Sequence, residues 1–236
     1  RDEKRGVGLS EAGHQQGDVA AFGSIGWYYN LELVPFETPP KVEFVPTVAG
    51  PAQVATLEDT PPHPSSRHLL TFAGPNIAGT SHSLSPAAAC ALWPQVLSYA
   101  KLYQLKVVAP ACSYCNASAD ANCDMAANDW LKAFFKLPSC GPDTVQAIAV
   151  QISGGRVADA LETVWRVHNE YEKPVWVQAR NVSDMHHVKQ LRSQFALLPS
   201  SVLERYALHA EAKEASRTLL EWGSSEQTAF GMVYDA

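Results

Sequence analysis

Eight short apolar, β-branched runs, separated in most cases by helix-forming stretches, constrain this chain more than any other feature. They occupy residues 6–10, 25–30, 42–48, 68–73, 106–111, 147–153, 174–179 and 205–209. Amphipathic segments follow several of them, at 85–104, 129–136, 156–172, 188–195 and 212–221. Strands that alternate with helices pair in parallel, and eight such units predict an α/β fold of the (β/α)8 barrel class. Ser85 followed by Pro86 reads as an N-cap and a first helical residue, which sets the start of the first long helix. In 156–172, Val157, Leu161, Val164, Trp165 and His168 recur at spacings of three and four, predicting the face that covers the sheet. The stretches after the second and third strands carry Pro35, Pro39 and Pro40, then Pro61, Pro62 and Pro64, so those βα units are expected to be reduced to loops. With no repeat or linker, the 236 residues predict one domain spanning 1–236.

Charge and hydropathy narrow the partners. A net charge of −6 offers no basic field to hold phosphates or anionic lipid, which argues against nucleic acid and membrane partners. The apolar runs, 147–150 among them, fall far short of the roughly 20 residues that cross a bilayer. No signal peptide is visible, and a chain opening on Arg1-Asp2-Glu3-Lys4-Arg5 is expected of a mature or trimmed product. A monomer is expected.

Cysteine placement points to the compartment. Cys112, Cys115, Cys123 and Cys140 crowd into one stretch while Cys90 stands apart, so the four are candidates for two local disulfides, with Cys90 a further possible member. Zinc is the rival for Cys112-x-x-Cys115, but no second close pair follows. Asn116-Ala117-Ser118 and Asn181-Val182-Ser183 are glycosylation acceptors at Asn116 and Asn181, which fits an oxidising, extracellular setting. Asp184, His186 and His187 lack a third ligand at fixed spacing and are expected to be surface residues; no metal and no cofactor is expected.

Several short motifs, in order, resemble one family. Lys4-Arg5-Gly6-Val7-Gly8, Trp27-Tyr28-Tyr29-Asn30 and Glu43-Phe44-Val45-Pro46 fall on the first three strands. Leu84-Ser85-Pro86 with Ala91-Leu92-Trp93-Pro94 opens the long helix, and Ala147-Ile148-Ala149-Val150, Lys173-Pro174-Val175-Trp176 and Glu204-Arg205-Tyr206-Ala207 lie on the last three strands. Together they resemble glycoside hydrolase family 128, the glycosyl hydrolase catalytic-core group that includes the alkali-sensitive-linkage-like fungal proteins. That resemblance implies a barrel acting on β-1,3-glucan.

The departures fall on the chemistry. Where the family reads F-N-E-P-D at the end of the fourth strand, with a Glu that resembles the proton donor, this chain has Phe72-Ala73-Gly74-Pro75-Asn76. Where the family reads W-x-T-E-F with a nucleophilic Glu, this chain has Trp176-Val177-Gln178-Ala179-Arg180. The acid and nucleophile positions are thus Gly74 and Ala179. The sixth strand's H-W-Y, which resembles a histidine and a sugar platform, is Gln151-Ile152-Ser153, and Leu208 and His209 replace an aromatic after the last Tyr-Ala. Retaining hydrolysis needs one carboxylic acid and one carboxylate about 5 Å apart, and neither Gly nor Ala supplies one.

The expectation is therefore a secreted, non-catalytic relative of an endo-β-1,3-glucanase that binds a glucan or another glycan, or a protein partner. Trp27, Asn30, Asn76, Gln151, Gln178 and Arg180 are the candidate ligand-binding residues, since sugars are held by aromatic faces and planar polar groups. The alternative is an active glycoside hydrolase on a different glycan, with carboxylates relocated to Glu11, Glu32 or Glu211.

Overall fold

The computed structural model describes residues 2–9, 14–115, 120, 122–180, 184–210, 219–220 and 224–236. In chain order the elements are β1 (Asp2–Leu9), β2 (Ile25–Tyr29), β3 (Glu43–Val45), β4 (Thr47–Val48), α1 (Pro51–Val54), β5 (His68–Thr71), α2 (Pro86–Leu102), β6 (Lys106–Ser113), α3 (Ala127–Phe135), β7 (Ala147–Ser153), α4 (Val157–Tyr171), β8 (Val175–Arg180), α5 (Met185–Leu197), β9 (Leu203–Ala210) and α6 (Ala229–Asp235), with 3-10 turns at Leu57–Asp59 and Pro142–Thr144. The strand order is β3-β2-β1-β9-β8-β7-β6-β5-β4, and the strand pairs β1–β2, β1–β9, β4–β5, β5–β6, β6–β7 and β8–β9 are parallel. The fold class is the α/β, (β/α)8 type that the alternation predicts.

Nine strands replace the expected eight because the run at 42–48 is broken at Pro46. Proline has no N–H to donate to a ladder. Its carbonyl still accepts from Leu70 N at 3.0 Å, while the next donor, Thr47 N, turns to Glu32 O at 2.9 Å. The proline-rich connections are short of helix as expected: only the four-residue α1 and one 3-10 turn separate β4 from β5.

The chain forms two compact units: residues 1–30, 35–44 and 152–236, and residues 31–34 and 45–151. In the first, β1 pairs with β2 through Gly6↔Trp27 and Gly8↔Tyr29, and with β9 through Gly6↔Ala207 and Gly8↔His209. β8 joins β9 through Trp176↔Arg205, Gln178↔Ala207 and Ala179↔Leu208. Partners in register point to the same side of a sheet. One face, here the inner one, therefore carries Trp27, Tyr29, Trp176, Gln178, Arg205 and His209. The other carries Ala179, Tyr206 and Leu208, and Tyr206 meets Phe195 of α5 at 5.3 Å and Tyr234 of α6 at 6.3 Å. On the inner face the Arg205 guanidinium lies 4.7 Å from the Trp176 ring and 5.4 Å from the Trp27 ring, and Arg205 Nη2 donates to Glu43 Oε2 at 2.7 Å.

α4 covers the sheet with a different stripe from the expected one. Ala160, Thr163, Val164 and Val167 are buried, whereas Trp165 is 42% exposed. Both stripes keep helical spacing, and Val164 belongs to each, so periodicity alone did not decide between them. α6 closes the unit: Thr228 Oγ1 caps it by accepting from Gly231 N, and Arg5 Nη1 donates to the terminal carbonyls of Tyr234 and Asp235 at 2.8 and 2.9 Å. A cation there is favoured by the helix dipole. The helix expected at 212–221 lies outside the described residues except for Leu219 and Leu220.

In the second unit, Ser85 caps α2 by accepting from Ala88 N, with Pro86 at the first turn, as its sequence predicts. Pro94 stands inside that helix and removes the donor to the Cys90 carbonyl. Trp93 packs on Phe134 of α3 at 5.1 Å and on Phe72 at 6.0 Å, and its indole N–H donates to Thr144 Oγ1.

The disulfides correct the expected set. Cys90 pairs with Cys140 and Cys115 with Cys123, leaving Cys112 a buried free thiol. Cys112 is a β6 residue in register with Val150 and wholly enclosed, with burial pushing its thiol pKa up, so nearness in sequence to Cys115 gives it no partner. Cys90 and Cys140 are far apart in sequence but their Cα atoms are 5.9 Å apart.

Candidate functional site

Barrels of this class keep their chemistry at the C-terminal ends of the strands.

In the second unit the chain leaves β5 through Phe72 and Gly74, both with positive φ (36° and 58°). A β-carbon at Gly74 would lie 3.3 Å from Gln151 Oε1 and 3.6 Å from Ser113 Oγ. Ser113 and Gln151 are in register at the ends of β6 and β7, and Ser113 Oγ donates to Gln151 Oε1 at 2.8 Å. Asn76, fully buried, spans three segments with one side chain. Its Oδ1 accepts from Ser113 N at 2.8 Å, and its Nδ2 donates to Ser113 O at 2.8 Å and to Met125 O at 2.9 Å. The Cys115–Cys123 disulfide adjoins this clamp: Asn76 Nδ2 is 3.4 Å from Cys115 Sγ, and Ile77 bridges Cys123. Asn76 is thus a structural cross-link, while Gln151 and the unforeseen Ser113 form a neutral amide–hydroxyl pair facing Gly74. Ser113 escaped sequence reading because β6 runs two residues beyond the apolar run ending at 111, through a register shift between Ala109 and Cys112.

In the first unit the strand ends are β2 at Tyr29, β8 at Arg180 and β9 at Ala210. Trp27 is not at an end. It is buried between Tyr29 (5.9 Å) and Trp176 (5.0 Å), and its N–H donates to Lys4 O. Its ring faces are spent within the core. Asn30 and Gln178 are buried and Arg180 is partly exposed. Ala179 lies on the Leu208 side by register, so in this chain Gln178, not residue 179, carries the inner face of β8. His209 packs edge-on to Tyr29 at 6.1 Å over Gly8, where a β-carbon would come within 2.7 Å of both rings.

Burial, and secondarily the charge of Arg180, hold the His209 pKa down to about 3 from 6.5. The folded chain therefore keeps His209 neutral where the unfolded chain protonates it. Stability from this group is complete above pH 6.5 and is lost as pH falls toward 3, at up to about 1.4 kcal/mol per pH unit. Urea unfolding across that range should show His209→Phe losing stability less steeply with acid than the parent; parallel slopes would exclude the assignment.

Of the alternative carboxylates only Glu32 lies among the described residues. Glu32 is partly exposed two residues beyond Asn30, with its backbone carbonyl engaged by Thr47 N. Glu11 and Glu211 lie outside the described residues, as do Asn116 and Asn181. Asp184 caps α5 by accepting from His187 N; His187 is buried, correcting its expected surface place, and His186 is exposed. Among the described residues no group of three or more His, Cys, Asp or Glu could hold a metal, and no helix is long and apolar enough to cross a membrane.

Solved structures similar to the chain include an endo-β-1,3-glucanase of family 128, subgroup II, from Sorangium cellulosum, at 24% identity and a TM-score of 0.79, covering 98% of this chain and 97% of that one. A subgroup I endo-β-1,3-glucanase from Amycolatopsis mediterranei in complex with laminaripentaose is 22% identical with a TM-score of 0.77, covering 100% and 99%. A curdlan-specific exo-β-1,3-glucanase of subgroup III from Blastomyces gilchristii, in complex with glucose, is 22% identical with a TM-score of 0.75, covering 99% and 97%. At these identities the likeness establishes the fold. No curated protein matches. The model of one family, however, matches residues 6–234, and the chain belongs to that family, the glycosyl hydrolase catalytic core.

Proposed function

We propose that this protein is a secreted, monomeric, single-domain and non-catalytic relative of the endo-β-1,3-glucanases that acts by binding, either to a glucan or to a protein partner. The observation that carries the reading is position 74. Where the family motif has a glutamate, the backbone here is left-handed at a glycine, beside a neutral hydroxyl and amide. Among the described residues the strand ends at 71–76, 111–113, 151–153, 178–180 and 208–210 offer no carboxylate in the acid or nucleophile position: by the family motifs those positions are Gly74 and Ala179. General acid catalysis alone contributes about 10²–10⁴ in rate, and here both partners of the reaction are missing. Glucan binding is supported by the similar solved structures that hold laminaripentaose and laminarihexaose. The two disulfides support an oxidising, extracellular setting.

The test is a reducing-sugar assay on laminarin and laminarihexaose. No turnover above the buffer blank is expected at enzyme concentrations in the micromolar range. Turnover comparable to an ordinary glucanase overturns the reading.

A further inference from the structure

The connection between β4 and β5 covers one flank of α2 with two short turns in place of a full helix. Pro51 opens the four-residue α1, and Pro61-Pro62 closes off the chain after the 3-10 turn Leu57–Asp59. Tyr99 Oη donates to Thr60 O at 2.8 Å and ties the second turn to α2. Between these turns and α2, within the second unit, lies a groove of about 600 Å3, a volume typical of ligand sites. Its lining is apolar in part: Val54, Leu57 and Tyr99 are buried, Tyr103 stands 4.9 Å from Tyr99 with the rings tilted by 60°, and Leu102 is 72% exposed. Four polar side chains share it, those of Glu58, Gln95, Ser98 and Tyr103. Among the described residues none of these four side chains has a hydrogen-bond or ion-pair partner. Gln95, Ser98 and Tyr103 each offer a proton, whereas an ionised Glu58 only accepts.

The geometry points to this groove as the docking site for a proline-rich segment of a protein partner, in polyproline II conformation and with a lysine or arginine beside the prolines. The site rests on the protein-partner arm of the proposed function and adds the partner's chemistry; laminarin turnover would overturn the non-catalytic reading and leave this site standing. Hydrogen bonding selects the conformation. Proline presents a carbonyl without an N–H, and a polyproline II backbone makes no hydrogen bonds to itself, so its carbonyls remain for the three donors while its rings pack on the tyrosines. A docked α-helix brings a backbone already satisfied and leaves those donors without backbone acceptors. Length agrees: from Pro94 to Tyr103 the helix rises about 13 Å, the span of roughly four polyproline II residues. Charge selects the flanking residue. Glu58 is the charged side chain of the lining, so it complements a cation, and the net charge of −6 favours the same sign of partner.

Calorimetry and 15N NMR on the intact chain test the site with a blocked peptide of one arginine and about eight prolines. The peptide should bind and shift the amides of residues 94–103 most. Glutamate in place of its arginine should weaken binding about tenfold, and Glu58→Gln should shrink that difference to about threefold. Tyr103→Phe, which keeps the ring, should cost about fivefold through one lost hydrogen bond. Leu102→Lys, at an exposed position, should abolish binding of the arginine peptide with Tm unchanged. A parent that does not bind the peptide, shifts confined to other residues, or Leu102→Lys binding like the parent overturns the site. Equal binding of an arginine-bearing glycine–serine peptide overturns the choice of proline, and an amphipathic helical peptide binding in the groove where the proline peptide does not assigns it to a helix instead. Equal affinity for the arginine and glutamate peptides overturns the role of Glu58.

Discussion

Arg205→Ala should lower the stability of the fold by about 3–5 kcal/mol, because it takes from Glu43 the guanidinium that it meets at 2.7 Å on a largely enclosed face. The side chains of the pair are 11% and 10% exposed, so water cannot replace the lost partner. The guanidinium also lies over two indoles, at 4.7 Å from Trp176 and 5.4 Å from Trp27, and that stacking disappears with it. For a chain of this size the loss corresponds to a fall in Tm on the order of 10 °C. Urea unfolding monitored by tryptophan fluorescence reads it directly. The double variant Arg205→Met with Glu43→Leu should recover most of the loss, since a buried ion pair replaced whole by apolar groups is often near neutral. A single-variant loss below about 1 kcal/mol would remove the pair from the account of what holds β3 and β9.

Removing the Cys90–Cys140 bridge should be the second large effect. The bridge spans 50 residues, and the chain-entropy relation gives a stabilisation of about 4 kcal/mol for a loop of that length. The Cys115–Cys123 bridge spans 8 residues and gives about 2.5 kcal/mol by the same relation. Serine pairs at 90/140 and at 115/123, unfolded separately in urea, should therefore rank in that order. Thiol titration provides the independent check. The unfolded, non-reduced chain should release one reactive thiol, that of Cys112, and the folded chain none, because this thiol is enclosed and its pKa is raised. A reversed ranking, or more than one thiol before reduction, would contradict the pairing.

Much of the architecture was legible because it depends on local patterns. The eight runs became strands, and Ser85-Pro86 starts α2 where capping chemistry puts it. What escaped depends on tertiary neighbours. The pairing of Cys90 with Cys140 is set by where α2 lies against the segment after α3, which no spacing rule carries. Trp27 read as a sugar-stacking aromatic because tryptophan on a strand suits both roles, and only the register with Gly6 and Arg205's position reveal it as core. α6 is too short for periodicity to declare. The sequence put Gly74 and Ala179 at strand ends, but not the contacts around them. Ser113 lay beyond the apparent strand end, and its hydrogen bond to Gln151 joins residues 38 apart in sequence.

The left-handed turn at Gly74 bears on what else position 74 could carry. Glutamate is a single-base neighbour of glycine in the genetic code, so a carboxylate at this position looks one step away. The backbone says otherwise: at φ 58° a side chain with a β-carbon carries a penalty on the order of 1 kcal/mol before it makes any contact, and the first atom of that side chain would press on Gln151. A glutamate here would need the loop to bend, against an asparagine clamp and a disulfide. Any side chain placed at this position therefore works against a backbone that its neighbours already hold, whatever group it carries.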